Sequence, residues 1–254
     1  MTHNSLKKFY ILLLPVFIFL LHLPFVFAKP HNKANNKEAI ARTAVTKEKT
    51  NADSLAKASL YESMNLDDLG LSKQAFTYAV EGYNYLLSTG KLNNDHILSV
   101  VDFSLPSSKK RLFVIDMKNG KLLYNTYVAH GRNSGTVYAN EFSNRPESFK
   151  SSLGFYITKG TYNGKHGYSL QLEGEEKGIN DNALSRAIVV HSASYVNENV
   201  VKSQGYVGRS LGCPALPEKL AKPIIETIKD GSCFFMFSPE SNYVSKSQIL
   251  QLAS

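Results

Sequence analysis

Apolar residues recur at helical spacing up to about residue 95 and at strand spacing beyond it. Residues 58–70 (ASLYESMNLDDLG) predict a short helix. Leu71 and Ser72 then supply an apolar residue and an N-cap, and Phe76, Ala79, Val80, Tyr83, Leu86 and Leu87 form one helical stripe that ends at Gly90. Such a stripe is a packing face. Ile97 to Phe103 and Arg111 to Asp116 read as strands, Asn119-Gly120 as a tight hairpin turn, and Lys121 to Ala129 as the returning strand. Phe155 to Lys159, Tyr168 to Glu173 and Ala187 to Val190 are further strand candidates, with glycines punctuating the intervals. Pro217-Glu218 opens a helix that runs to Lys229 and stops at Asp230-Gly231. Cys233 to Phe237 closes the pattern as a buried strand. Short strands with Gly-rich turns predict a mainly β domain with flanking helices (α+β), preceded by a short helical N-terminal region.

The beginning of the chain has a different character. Lys7 and Lys8 precede a mostly apolar run from Tyr10 to Leu23, and Val26-Phe27-Ala28 places small residues where a signal peptidase cuts. The run is short for a membrane span and is interrupted by Pro15, His22 and Pro24, so residues 1–28 read as a cleaved export signal. On this reading membrane contact ends with cleavage. Residues 29–57, rich in Lys, Asn, Ala and Thr, read as a flexible linker. The remaining organisation is a helical region over 58–95, the mainly β domain over 96–240 and a C-terminal tail over 241–254. The formal charge of +8 falls to +6 without the signal. That suits a solvated surface or, in an exported protein, an anionic partner outside the cytoplasm: a cell-wall polymer, lipid headgroups or a polyanionic saccharide. The lysines are scattered without an Arg-rich or aromatic-interleaved stripe, which argues against nucleic acid.

Two cysteines occur, Cys213 and Cys233. An exported chain invites a disulfide between them. Cys233, however, sits in an apolar strand pattern, where a free thiol behaves as a small hydrophobe. Cys213 sits in a Gly/Pro-flanked turn after Arg209. Two free thiols are the favoured reading. With no CxxC and no HExxH, no metal site is expected, and no cofactor is called for. The chemistry concentrates between His191 and Cys213. A thiol reacts as thiolate and titrates near about 8.5 when free. An imidazole within reach can take its proton, and glycine before it lets a substrate approach the backbone. Backbone N–H groups at such a turn suit a developing oxyanion.

His191 followed by Ser210-Leu211-Gly212-Cys213 resembles the catalytic motif of the L,D-transpeptidases (the YkuD-like domain), and more narrowly the murein L,D-transpeptidase catalytic domain family. Ser152-Leu153-Gly154-Phe155-Tyr156, Tyr162 to Leu170, Asn180 to Ala183 and Pro214-Ala215 extend the likeness over roughly residues 95–240. The resemblance implies a two-step acyl transfer on peptidoglycan stem peptides. The thiol attacks the carbonyl of the third residue, usually diaminopimelate, and releases D-alanine; the thioester then passes to an amine. Water as acceptor gives L,D-carboxypeptidase activity instead. The resemblance makes Cys213 the nucleophile and His191 the base, oriented by the main-chain carbonyl of Ser192. Gly212 and Cys213 supply the oxyanion donors, and Ser210 either braces the loop or hydrogen-bonds near the thiolate. The family usually carries a second histidine where this chain has Leu211. Pro214 lacks an N–H, so oxyanion donors lie at or before Cys213.

Arg209, nearest in sequence to the thiol, and Arg186 suit a substrate carboxylate, since a guanidinium meets one in bidentate geometry. His166 suits either the donor side or a plain surface role, Tyr162 and Tyr168 suit a groove wall or simple packing, and His130 reads as a turn residue. Two rival functions stand beside the transferase. One is another cysteine peptidase, for which the order His-then-Cys excludes papain-like descent. The other is a non-catalytic wall-binding module.

Overall fold

The computed structural model describes residues 54–239 and 242–253. The predicted signal and residues 29–53 of the predicted linker lie outside the described residues. Everything described belongs to one unit spanning 51–254.

Residues 54–63 form helix α1, longer at its start than the pattern predicted, and 64–70 continue as turns. Helix α2 (Lys73–Ser88) begins where predicted, because the Ser72 hydroxyl accepts the Ala75 N–H at 3.2 Å and satisfies one of the orphan donors of the first turn. Phe76, Ala79, Val80, Tyr83 and Leu86 are buried along its stripe, whereas Leu87 turns to solvent.

Eight strands follow: β1 (Ile97–Asp102), β2 (Leu112–Asp116), β3 (Lys121–Thr126), β4 (Gly154–Gly164), β5 (Gly167–Gly174), β6 (Val189–Ser192), β7 (Ala215–Leu216) and β8 (Cys233–Phe237). They lie in the order β3-β2-β1-β8-β4-β5-β6-β7. Pairing is antiparallel except between β1 and β8 and between β6 and β7. β8 is buried throughout at the middle of the sheet, which explains its unbroken apolar run. Its Phe235 stacks on Phe155 of β4 with centroids 4.2 Å apart. β4 runs past Gly160, where a register shift between Thr158 and Thr161 marks a bulge; the glycine that reads as punctuation is an irregularity inside a strand.

Helix α3 (Glu198–Gln204) falls in what reads as a polar loop, capped by the Asn197 side chain on Val200 N–H at 2.9 Å. Its short length and lack of a buried face leave no apolar period to detect. Helix α4 (Glu218–Ile228) has Pro217 as N-cap, buries Ala221, Ile224, Ile225 and Ile228, and accommodates Pro223 within the chain of turns. The predicted tail is helical: α5 (Tyr243–Lys246) and α6 (Gln248–Ala253) bury Tyr243, Ile249 and Leu250. The buried Glu176 carboxylate anchors it, accepting from Tyr243 Oη at 2.8 Å, from Ser247 Oγ and from Phe155 N–H at 2.8 Å. Among the described residues no helix is long and apolar enough to cross a membrane.

The contact between α2 and the sheet is tight at Gly82, where an added Cβ would lie 2.0 Å from the Phe155 ring. Alanine gains about 1 kcal/mol over glycine in a free helix, but overpacking a core costs about 1–3 kcal/mol. Gly82→Ala therefore lowers the thermal midpoint measured by circular dichroism. A midpoint at or above that of the unaltered protein would contradict this packing.

Candidate active site

The site forms at the far edge of the sheet. A turn over Asn182 to Ala187 delivers the chain into β6, with Arg186 N–H bonded to Asn182 O at 2.8 Å and Ala187 in the left-handed region at φ 52°. β6 pairs in parallel with β7 in the register His191 to Ala215 and Ser192 to Leu216. On the other side of β7, Ala129 donates to Ala215 O at 2.9 Å, and Gly131 bridges Ser210. The turn carrying Cys213 is thus held between β6 and the 129–132 segment. Cys213 lies two residues before the partner of His191, an offset of roughly 7 Å along the strand direction.

Within the turn, the Ser210 hydroxyl accepts Gly212 N–H at 3.0 Å and donates to Cys213 O at 2.6 Å. Ser210 is therefore the brace of the loop. Gly212 has φ 128°, and an added Cβ would lie 2.9 Å from the Lys150 carbonyl oxygen, so both conformation and space demand glycine. Its own carbonyl accepts the Ser151 hydroxyl at 3.1 Å, and that hydroxyl in turn accepts Gly131 N–H at 3.1 Å. Because Gly212 N–H is engaged by Ser210, the N–H of Cys213 is the donor of the pair left without an acceptor among the described residues.

His191 is buried, with Nδ1 2.8 Å from the Ser192 carbonyl oxygen. A carbonyl only accepts, so the proton sits on Nδ1 and Nε2 carries a lone pair. Burial lowers the His191 pKa, with the nearby His166 acting in the same sense and the Ser192 bond opposing it. The Cys213 thiol donates to Ala187 O at 3.6 Å rather than to His191. Burial raises its pKa, against the Val189 N–H and the Arg186 guanidinium, which both lower it. Both shifts run toward the neutral forms of the two groups. Such contacts are often long before a substrate closes the site.

His130 shows the opposite tautomer. The buried Arg111 guanidinium can only donate, so at 2.7 Å it fixes a lone pair on His130 Nδ1, and Nε2–H donates to Gly135 O at 3.1 Å. Burial and Arg111 lower its pKa to about 4. Both nitrogens are occupied, and its main-chain carbonyl accepts Ser210 N–H at 2.9 Å. Its role is to carry the turn.

The exposed His166 ring stacks on that of His191 with centroids 4.4 Å apart, and its carbonyl accepts the Ser192 hydroxyl at 3.3 Å. Arg209 is exposed, its guanidinium 6.0 Å from the Tyr206 ring centroid, with long hydrogen-bond contacts of 3.4 to 3.5 Å to Gly135 O, Arg132 O and Thr136 Oγ1 and no carboxylate paired with it among the described residues. The Tyr168 hydroxyl donates to Glu226 on α4. Leu211 is 58% exposed beside the turn. Cys213 and Cys233 are both free, and Cys233 is fully buried in β8. No group of three or more potential metal-ligating side chains gathers among the described residues. Ser151, Ala187 and Tyr195 were missed. Ser151 lies just outside the family-like stretch at 152–156, Ala187 acts through its carbonyl, which no side chain announces, and the Tyr195 ring packs under Gly208.

A family model described as "L,D-transpeptidase catalytic domain" matches residues 67–237, which takes in α2 as well as the sheet. Solved structures with similarity include an L,D-transpeptidase from Mycobacterium smegmatis (16% identity, 56% of this chain and 59% of that one, TM-score 0.35). L,D-transpeptidase 1 of Mycobacterium tuberculosis is 13% identical over 56% of this chain and 62% of that one, with a TM-score of 0.32. The helical cell shape determining protein Pgp2 from Campylobacter jejuni is 16% identical over 68% and 60%, with a TM-score of 0.39. The chain thus spans about three fifths of the length of each. No curated protein matches.

The two thiols differ enough in environment to be told apart by reaction. Iodoacetamide labels Cys213 in the native protein at least about 100-fold faster than Cys233, as read by peptide mass spectrometry, since exposure and thiolate fraction control the rate. Comparable rates would contradict the geometry of both sites.

Proposed function

The chain belongs to the L,D-transpeptidase catalytic domain family, and from that premise we propose that it is a peptidoglycan L,D-transpeptidase with Cys213 as nucleophile and His191 as base. The observation that carries this reading is the Ser192 carbonyl on His191 Nδ1, which leaves Nε2 as a lone-pair acceptor on the strand next to the thiol.

The donor is a stem tetrapeptide. Cys213 Sγ attacks the carbonyl carbon of the third residue while its proton passes to His191 Nε2. The imidazolium is stabilised by the Ser192 carbonyl, which serves as orienter in place of an acid. The oxyanion takes the Cys213 N–H, with Pro214 unable to contribute and Gly212 N–H held by Ser210. Collapse breaks the peptide bond, and His191 returns its proton to the departing D-alanine amine. An amine of a second stem then attacks the thioester, loses its proton to His191, and expels the sulfur, which is reprotonated. Water in the second step gives an L,D-carboxypeptidase. Arg209, the open guanidinium at the rim, is the candidate for the substrate carboxylate, and His166 covers the base. A wall substrate and an export signal over residues 1–28 would together suit a periplasmic or wall-facing location.

The experiment is incubation of purified protein with tetrapeptide muropeptides and mass analysis of products. Loss of D-alanine with dimer formation is expected, and Cys213→Ala abolishes it. Hydrolysis alone would make the protein a carboxypeptidase, and turnover retained in Cys213→Ala would remove the thiol from the mechanism. The pH profile follows from the His191 shift. Protonation removes the base, so kcat/KM falls on the acid side through a pKa below about 6.5. An acid limb centred above that value would contradict it.

A further inference from the structure

Arg186 is a cation without an acid. Its Nη1 donates to Ser143 O at 2.8 Å and to the Ser152 hydroxyl, and its Nη2 donates to Lys150 O at 2.7 Å and reaches Ser148 Oγ at 3.4 Å. All four acceptors are neutral, and no carboxylate pairs with it among the described residues. The same Nη2 lies 3.4 Å from the position an added Cβ would take on Gly212, so the guanidinium borders the Gly212-Cys213 peptide. The next residue, Ala187, supplies the carbonyl that receives the Cys213 thiol. With its terminal nitrogens engaged, Arg186 is not free to grip a substrate carboxylate in bidentate fashion, which sets it apart from Arg209.

We infer that Arg186 is a positioning residue for the thiol: its guanidinium fastens the 143–152 segment to the turn and presents a fixed, uncompensated positive charge to the sulfur as the proton leaves. This deepens the transpeptidase reading and rests on Cys213 being its nucleophile. Among the described residues, the titratable groups that interact electrostatically with the sulfur are Arg186 in the turn before β6 and Tyr195 in the loop after β6, whose hydroxyl pKa is raised by burial and then by the Cys213 charge. Arg186 is the permanent cation among them. A charge held in place by four hydrogen bonds to neutral acceptors stabilises a developing anion without reorganising.

The test is the pH dependence of Cys213 alkylation in the full protein, a readout independent of turnover. Arg186→Gln is expected to raise the midpoint by about one unit, since a nearby fixed cation lowers an acidic group's pKa by about that order. Arg186→Lys, with a point charge on a shorter reach to fewer acceptors, is expected to fall between Gln and the unaltered protein. Cys233 labelling reports opening of the fold in the same sample. Should the Gln variant not fold, the Lys variant decides alone. Midpoints unchanged in every folded variant, whatever the loss of thermal stability, overturn the proposal and leave Arg186 a structural tie. If the midpoints shift but muropeptides are not turned over by the unaltered protein, Arg186 keeps its role and the transpeptidase reading fails.

Discussion

The parallel register between β6 and β7 is the constraint on which the site depends. It is only two residues long, yet it sets His191 against Ala215 and so fixes how far the imidazole stands from Cys213. A slip of one residue would turn His191 to the other face. The register is held from outside as well: Ala129 and Gly131 pair with the chain on the far side, and the Ser210 hydroxyl closes the turn on itself. Neither strand is long enough to be secure alone.

Tautomers divide the histidines by task. His191 and His130 are both buried and both depressed in pKa, and pKa alone would not separate them. Their partners do. A carbonyl on Nδ1 leaves His191 with a free Nε2, whereas a guanidinium on Nδ1 and a carbonyl on Nε2 leave His130 with nothing to offer a substrate. The same burial favours the neutral forms of His191 and Cys213, and the Ser192 carbonyl already orients the imidazole.

Much of this was legible in the sequence. Helix α2, the hairpin at Asn119-Gly120, the apolar strand β8 and helix α4 follow from period, cap and turn chemistry, each of which is local. Gly212 and Ser210 follow from the demands of a tight turn next to a thiol. What could not be read is what depends on distant backbone. Ala187 contributes a carbonyl, Ser151 a bridge between two loops, and Arg186 a charge whose partners lie 34 to 43 residues away. Helix α3 lacks an apolar face, and the tail at 243–253 owes its helices to Glu176 and to burial against the domain. Tyr168 fits the likeness by type and spacing, but its hydroxyl is taken by Glu226.

The central claim is that Ser192 holds His191 as the Nδ1–H tautomer with Nε2 available, beside a neutral thiol. Nitrogen-15 NMR of histidine-labelled protein at neutral pH reads this directly, with His191→Asn identifying the signal. The account predicts a protonated Nδ1 and an unprotonated Nε2 for His191. A proton on Nε2, or an imidazolium in the resting protein, would contradict it.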